Sequence, residues 1–211
     1  MRHISIIILL ILVSILGVTP ESFAAVKGGI EYSIPVDYSK LSEFELKVKA
    51  DKYFYLAEQY KDSTLNDDIT NALMLYSILQ NINPENEIYS IRLGILYDKI
   101  NVTRYAKGNF SRAIGIAPNK PEPYFYFGEY YYKKQMYRKA LKYYKEAFAK
   151  GYSENYDLNF RLGDIYEKLG DTKLSLIYLK KAASKSPNEN LDNKIKRVET
   201  FDSTNRIYNS K

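Results

Sequence analysis

The sequence lacks cysteine and tryptophan, and its one histidine is His3. Without cysteine it has no disulfides, no thiolate metal sites and no cysteine nucleophile. With no histidine beyond position 3, the common nucleophile–base pairs of enzymes are excluded as well. No glycine-rich phosphate loop follows a strand pattern, and no residues have metal-ligand spacing. The sequence therefore predicts no catalytic residue, no cofactor and no metal site, and we expect that the protein is not an enzyme.

Only one long hydrophobic run is present, and it lies at the N-terminus. Ile4–Val18 contains neither acid nor base and follows a short basic start. This run is shorter than the roughly 20 residues that span a bilayer. Pro20 follows it, and Ser22 and Ala24 are small residues at the positions that a signal peptidase reads. Residues 1–24 are therefore predicted to be a cleaved signal peptide, and an uncleaved N-terminal anchor is the alternative.

The charge balance is basic, with a formal net charge of +6. Such a balance can indicate nucleic acid or an anionic surface as a partner. The many Ile, Lys, Asn and Tyr residues are typical of an AT-rich bacterial genome, and an exported protein seldom meets nucleic acid. We therefore expect a periplasmic or secreted bacterial protein with no nucleic-acid partner and no stable membrane span after signal cleavage.

The rest of the chain repeats one set of spacings. Gly94, Gly128 and Gly163 are 34 and 35 residues apart, and each has a leucine or phenylalanine before it and a tyrosine three residues after it. A small residue follows each glycine by twelve positions. An earlier copy has Ala57 in place of glycine and a longer turn between its helices. The small residues at the second position are Ala72, Ala106, Ala140 and Ser175.

This period and residue pattern resemble the tetratricopeptide repeat. The resemblance implies an all-α fold, an α-solenoid of about four helix-turn-helix repeats in a right-handed superhelix. It also implies protein–protein interaction through the inner surface, with no catalytic residue and no cofactor. The predicted divisions are an extended lead-in at 25–43, a repeat domain at 44–187 with repeats at 44–84, 85–119, 120–154 and 155–187, and a capping helix and tail at 188–211.

Local signals place the ends of particular helices. Ser42 with Glu45 is a capping-box pattern and predicts a helix start. The second helix of the second repeat contains Gly108 and Gly115, each of which costs about 1 kcal/mol relative to alanine. That helix is therefore predicted to be the least stable of the array. After the last repeat, residues 190–201 have a helical pattern and are expected to cover the final apolar face, because repeat arrays need terminal caps.

Tyrosine is abundant, with 22 residues. Five tyrosines occupy repeated packing positions, so we predict that they are core aromatic side chains with one polar atom each. The pattern leaves Tyr126, Tyr130 and Tyr143 unassigned. The predicted core tyrosines are Tyr76, Tyr97, Tyr131, Tyr144 and Tyr166.

One stripe of the first helices is the candidate partner-binding groove, and we call it the inner stripe. Its residues lie three before, one after and four after Ala57 and each repeat glycine, so they share a helix face. Apolar side chains begin each row and carboxylates follow, whereas the second helices carry bases such as Arg138, Lys139, Lys142 and Lys145. The inner stripe comprises Phe54, Glu58, Ile91, Ile95, Asp98, Phe125, Glu129, Tyr132, Phe160, Asp164 and Glu167.

An acidic and aromatic groove predicts a partner that is basic and apolar. The expected function is therefore a non-enzymatic interaction or scaffold module of the bacterial cell envelope, which binds a protein or peptide. The alternative is an accessory subunit of an envelope enzyme or secretion assembly. A paired-carboxylate hydrolase is a distant third, because catalytic carboxylates need two unlike environments and the acids here recur in one repeated environment.

Overall fold

The computed structural model describes residues 38–60 and 65–209, and within these ranges every regular element is helical. The predicted signal peptide and most of the predicted lead-in lie outside the described residues. A 3₁₀ turn at Tyr38–Lys40 precedes the first α-helix, and another at Tyr152–Glu154 follows the sixth. The helices are α1 (Glu43–Gln59), α2 (Asp67–Ile82), α3 (Glu87–Lys99), α4 (Thr103–Ile116), α5 (Pro121–Lys133), α6 (Tyr137–Ala149), α7 (Tyr156–Lys168), α8 (Thr172–Lys185) and α9 (Glu189–Asn209).

The fold is an α-solenoid of helix-turn-helix repeats, as predicted. Helix α1 packs on α2, α5 on α6, and α7 on α8. The described residues divide into two units, and the boundary between Asn109 and Phe110 falls inside α4. We call the part up to Asn109 unit 1 and the part from Phe110 unit 2, and each is described by itself.

The predicted helix start at Ser42 is confirmed in atomic detail. The Glu45 backbone N–H donates to Ser42 Oγ at 3.3 Å, and the Ser42 N–H donates to Glu45 Oε2 at 2.9 Å. Two backbone N–H groups at this helix end are thus satisfied by side chains. Asparagine or aspartate side chains cap five later helices by accepting from the first-turn backbone, and these caps are Asn66, Asn86, Asn155, Asp171 and Asn188.

Small residues at the repeated positions let paired helices approach closely. An ideal Cβ added to Gly163 would lie 2.6 Å from Leu179 Cγ, and one added to Gly128 would overlap the Tyr144 ring. Only glycine fits at these two contacts. The alanine or serine at the second position is fully buried in every copy. The five predicted core tyrosines are all buried, with at most 8% of each exposed.

Three turns between paired helices have the same backbone hydrogen bonds. At each, the residue seven after the repeat glycine has positive φ: 60° at Asn101, 57° at Gln135 and 83° at Gly170. The next backbone N–H donates to the carbonyl of the repeat tyrosine, as from Asp171 to Tyr166 at 2.9 Å. This is the Schellman motif, which satisfies the last carbonyls of a helix. Of the three residues, only Gly170 is a strong turn signal in a sequence, since asparagine and glutamine adopt positive φ less readily.

At the end of unit 2, α9 covers the last helix pair. Its predicted apolar residues Leu191, Ile195 and Val198 are buried and pack with Leu179 and Ala182 of α8. The prediction of a frayed tail after about Phe201 is wrong, because α9 continues to Asn209. Phe201 itself is 57% exposed and does not join this core.

Charged side chains fix α9 to α7. Lys194 Nζ lies 2.7 Å from Asp164 Oδ1 and 2.6 Å from Glu167 Oε2, and all three side chains are largely buried. Arg197 Nη2 reaches Glu167 Oε1 at 2.8 Å. Burial is the largest influence on Asp164 and would raise its pKa, but bonds from Lys194 and Tyr132 outweigh it. The pKa of Asp164 is consequently below its usual value.

The close approach at Gly128 predicts opposite effects for one substitution at two helical glycines. Gly128→Ala places a methyl group against Tyr144, and we expect it to lower the free energy of unfolding by about 1–3 kcal/mol. Gly108→Ala meets no atom within 4 Å, so we expect no loss and a gain of up to about 1 kcal/mol. Urea unfolding followed by circular dichroism measures both. Equal effects at the two sites would show that the helix register is wrong.

The docking of α9 also predicts different stability effects for two lysine substitutions, each of which removes an ion pair. Lys194→Met removes the closer of the two bases that pair with the largely buried Asp164 and leaves Lys168 at 3.8 Å, and we expect it to cost about 1–3 kcal/mol. Lys180→Met removes an exposed pair with Glu199 and should cost less than about 1 kcal/mol. Urea unfolding at pH 7 distinguishes the two.

The pH dependence of the Lys194→Met effect follows from the lowered pKa of Asp164. A carboxylate with a lowered folded pKa contributes stability above its unfolded pKa of about 3.9, and loses it as pH falls through the folded pKa. The cost of Lys194→Met should therefore be largest near pH 7 and shrink below about pH 4. A cost that stays constant from pH 7 to pH 3 would contradict the charge pairing.

Candidate binding surface on the first helices

In unit 1, the first residue of each inner-stripe row is buried. Phe54 is 8% exposed and Ile91 is 1% exposed, so the prediction that these two side chains are exposed anchors is wrong. The Tyr76 ring meets Phe54 edge-on at 6.1 Å, and the Arg92 guanidinium lies 4.3 Å from the Phe54 ring centroid. Arginine stacked on an aromatic face is a favourable contact. Phe54 and Ile91 thus belong to the core.

The other inner-stripe residues of unit 1 are more accessible. Glu58 is exposed, and Ile95 and Asp98 are half-buried. Lys99 Nζ, at the end of α3, donates to the carbonyl oxygen of Tyr60, directly after α1, at 2.6 Å, which ties the end of α1 to α3. In unit 1 the inner stripe therefore presents the exposed carboxylate of Glu58 and the half-buried side chain of Ile95.

A second apolar surface on α1 was not recognised in the sequence. Phe44, Val48 and Tyr55 are 74%, 53% and 66% exposed. Their spacing of four and seven residues places them on one helix face. That spacing is present in the sequence, but the repeat pattern does not include these three residues and so does not point to them.

In unit 2, Phe125 lies within an aromatic cluster. Its ring centroid is 5.5 Å from that of Tyr126 and 5.8 Å from those of Tyr144 and Tyr152. Phe125 and Tyr126 are half-buried, so this cluster is both packed and partly accessible. Rigid aromatic side chains of this kind dominate the affinity of many protein interfaces.

The carboxylates of the inner stripe in unit 2 have partners within the unit. Glu129 accepts from Arg161 Nε at 2.7 Å and from Nη2 at 3.1 Å, and Tyr144 Oη also donates to it. Burial favours a lower pKa for the Arg161 guanidinium, but the bidentate pair with Glu129 raises it on balance. Burial and the same carboxylate raise the pKa of Tyr144.

The same pattern continues along α7. Tyr132 Oη donates to Asp164 Oδ2 at 2.5 Å, and burial together with this bond raises the pKa of Tyr132 to about 12. Phe160 is partly buried against α9, with Lys194 Nζ 5.9 Å from its ring centroid. Consecutive first helices α5, α7 and α9 are thus joined by carboxylate–base links, and the inner stripe of unit 2 is largely charge-neutral.

Arg92 and Arg161 are residues of the surface that the sequence did not single out. Each lies two positions before a repeat glycine. Arg161 lies 4.5 Å from the Tyr132 ring centroid, as Arg92 does over Phe54 at 4.3 Å. The equivalent position in α5 holds Tyr126. The repeated arginine was visible in the sequence, but its stacking on a ring of the preceding first helix was not.

The described residues show no other chemistry at this surface. Within 38–60 and 65–209, no group of three or more acidic or histidine side chains could hold a metal ion. In the same ranges, no helix has the length and apolar character needed to cross a bilayer.

Comparisons with known proteins agree with this geometry. A family model described as "Tetratricopeptide repeat" matches residues 156–189, and a search of curated protein sequences gives no match. A crystal structure of MamA has a TM-score of 0.56 at 18% identity, covering 64% of this chain and 80% of that chain. A structure titled MamA MSR-1 has a TM-score of 0.56 at 20% identity, covering 77% and 90%.

A third similar structure is PilW, titled a widely conserved type IV pilus biogenesis factor. Its TM-score is 0.53 at 22% identity, covering 65% of this chain and 62% of that chain. At these identities the likeness to MamA and PilW concerns the fold alone. Repeats of this fold are protein–protein interaction modules. Residues 156–189 thus match a tetratricopeptide repeat, and the chain as a whole has the fold of an α-solenoid of helical repeats.

Proposed function

We propose that this chain is a non-enzymatic module exported to the bacterial cell envelope, where its inner stripe binds a basic and apolar segment of a protein partner. The accessible residues form two sets, one in each unit. In unit 1 the set is Glu58, Ile95 and Asp98, and in unit 2 it is Phe125, Glu129 and Tyr132. Phe54 and Ile91 are excluded because they are buried, and Phe160, Asp164 and Glu167 because α9 covers them.

The docking of α9 on α7 is the observation that carries this proposal. There, an aromatic ring and two carboxylates of the inner stripe hold a helix whose apolar side chains alternate with Lys194 and Arg197. The bases are three residues apart, so they lie on one side of α9. The residue types of the inner stripe thus suit an amphipathic basic helix, and a partner segment of that chemistry fits the accessible sets.

The two kinds of residue have different roles in such binding. Desolvated aromatic side chains supply most of the affinity, which places their effect in the dissociation rate. Exposed carboxylates attract a basic segment over a distance, so they act on the association rate and depend on salt. Phe125 is the aromatic candidate, and Glu58 is the exposed carboxylate.

Export predicts a shortened chain. Ser22 and Ala24 flank the end of a short apolar run, so we expect the mature protein to begin at Ala25. Mass spectrometry of protein from the periplasmic fraction or the medium measures this terminus. Recovery of the intact N-terminus in the membrane pellet would indicate an anchor instead.

Binding through the inner stripe predicts separate kinetic effects for two substitutions. The partner is first captured from the envelope fraction with the full chain, and its association and dissociation are then followed by surface plasmon resonance. Phe125→Ala should speed dissociation by tenfold or more, which corresponds to about 1.4 kcal/mol. Glu58→Lys should slow association several-fold and weaken its dependence on salt.

Matched controls separate these effects from loss of packing and from net charge. Phe148→Ala removes a half-buried ring of α6 that contacts Tyr178, away from the inner stripe. Glu85→Lys reverses an exposed carboxylate in the turn before α3. If these two variants weaken binding as much as the stripe variants do, the inner stripe is not the binding surface.

The same capture addresses the alternative function. Recovery of an envelope enzyme or of secretion components would make this chain their accessory subunit, with the activity in the partner. The likeness to PilW does not choose between the two, because it concerns the fold alone.

A further inference from the structure

The outer face of α6 carries four exposed bases, Arg138, Lys139, Lys142 and Lys145. We call them the α6 basic stripe. Arg138, Lys142 and Lys145 are spaced by four and three residues and so align along one side of the helix, with Lys139 beside them. Glu146 is the one acid in α6. The stripe therefore concentrates positive charge within about two helical turns.

Several bases of unit 2 have acidic partners, unlike those of the α6 basic stripe. Arg161, Lys181, Lys185 and Lys194 each form an ion pair. Among the described residues, no ion pair joins the α6 basic stripe to a carboxylate. Lys139 instead lies 5.6 Å from the Tyr131 ring centroid. The positive charge of the stripe is thus uncompensated, whereas most of the charge around it is used in packing.

The position of the stripe on α6 indicates the shape of its partner. Ala140, Tyr144 and Ala147 hold the opposite side of α6 in the core. The bases consequently lie on the solvent-exposed side of a helix whose other side is buried. A row of bases along an exposed, convex helix surface fits a broad anionic surface, because all four bases can contact it at once. Met136, which is 39% exposed, lies at the N-terminal end of the stripe and adds an apolar contact.

We propose that the α6 basic stripe binds the anionic head groups of a phospholipid surface. Clusters of four or more lysines and arginines on one helix are attracted to such surfaces, and the attraction falls with salt. An acidic polypeptide is the other anionic partner, but the exposed side of a single helix provides no pocket for its side chains. This site is separate from the proposed protein-binding residues and does not depend on them.

Vesicle binding by the full chain tests the proposal. The probe is vesicles of phosphatidylglycerol mixed with phosphatidylcholine, compared with phosphatidylcholine alone, in a co-sedimentation assay. We expect binding to the anionic vesicles only, weakening as salt is raised. The combined variant Arg138→Gln, Lys142→Gln, Lys145→Gln should bind the anionic vesicles at least tenfold more weakly, because each base near the surface adds several-fold to affinity.

A control with the same loss of net charge distinguishes a defined surface from general basicity. The combined variant Lys107→Gln, Lys173→Gln, Lys196→Gln removes three exposed bases on other helices, and it should change binding less than twofold. Thermal unfolding checks that both variants fold as the natural chain does.

Three results would overturn the proposal. Equal losses in the two combined variants would assign the binding to net charge, and no binding of the natural chain to anionic vesicles would remove the lipid site. Binding of polyglutamate through the stripe in preference to anionic vesicles would assign the surface to an acidic polypeptide.

Discussion

The distance of closest approach between the helices of a pair sets the rest of the structure. At Gly163 the Leu179 side chain occupies the space that a Cβ would need, and at Gly128 the Tyr144 ring does the same. Because these contacts fix the distance and angle between the two helices, the turn that joins them must reverse the chain with a defined geometry. The shared Schellman motif at Asn101, Gln135 and Gly170 provides that return. The positions of the other side chains of each first helix, including the inner stripe, are then determined as well.

Stacking of successive first helices explains where the charges of unit 2 lie. Each inner-stripe carboxylate of unit 2 meets a base on the next first helix or on α9, as Glu129 meets Arg161 and Glu167 meets Arg197. Helix α9 continues this series and buries the last apolar face. At the other end of the described chain, α1 leaves Phe44 and its neighbours on the same face exposed.

The sequence predicts the all-α fold well because the repeat glycines and tyrosines report a backbone constraint that recurs at fixed spacing. The capping box at Ser42 and the cap residues Leu191, Ile195 and Val198 are local patterns and were also predicted correctly. The accessibility of the inner stripe was harder to predict. Phe54 is buried because Arg92, 38 positions later, stacks on it, and Asp164 is neutralised by Lys194, 30 positions later. Such contacts depend on the stacking of neighbouring repeats, which helix periodicity within one repeat does not report.

The distinction between satisfied and unsatisfied charge is then a better guide to partners than charge alone. A count of acids on the inner stripe suggests an acidic groove, yet those in unit 2 are matched to bases and contribute to packing. An incoming segment there would have to compete with intramolecular pairs that are already partly desolvated, and only a fraction of the Coulomb attraction would remain. On unit 2 the aromatic rings around Phe125 therefore have to supply the affinity for a partner. Glu58 on α1 and the bases of α6 have no ion pair among the described residues and are exposed to solvent, so salt-dependent long-range attraction acts there.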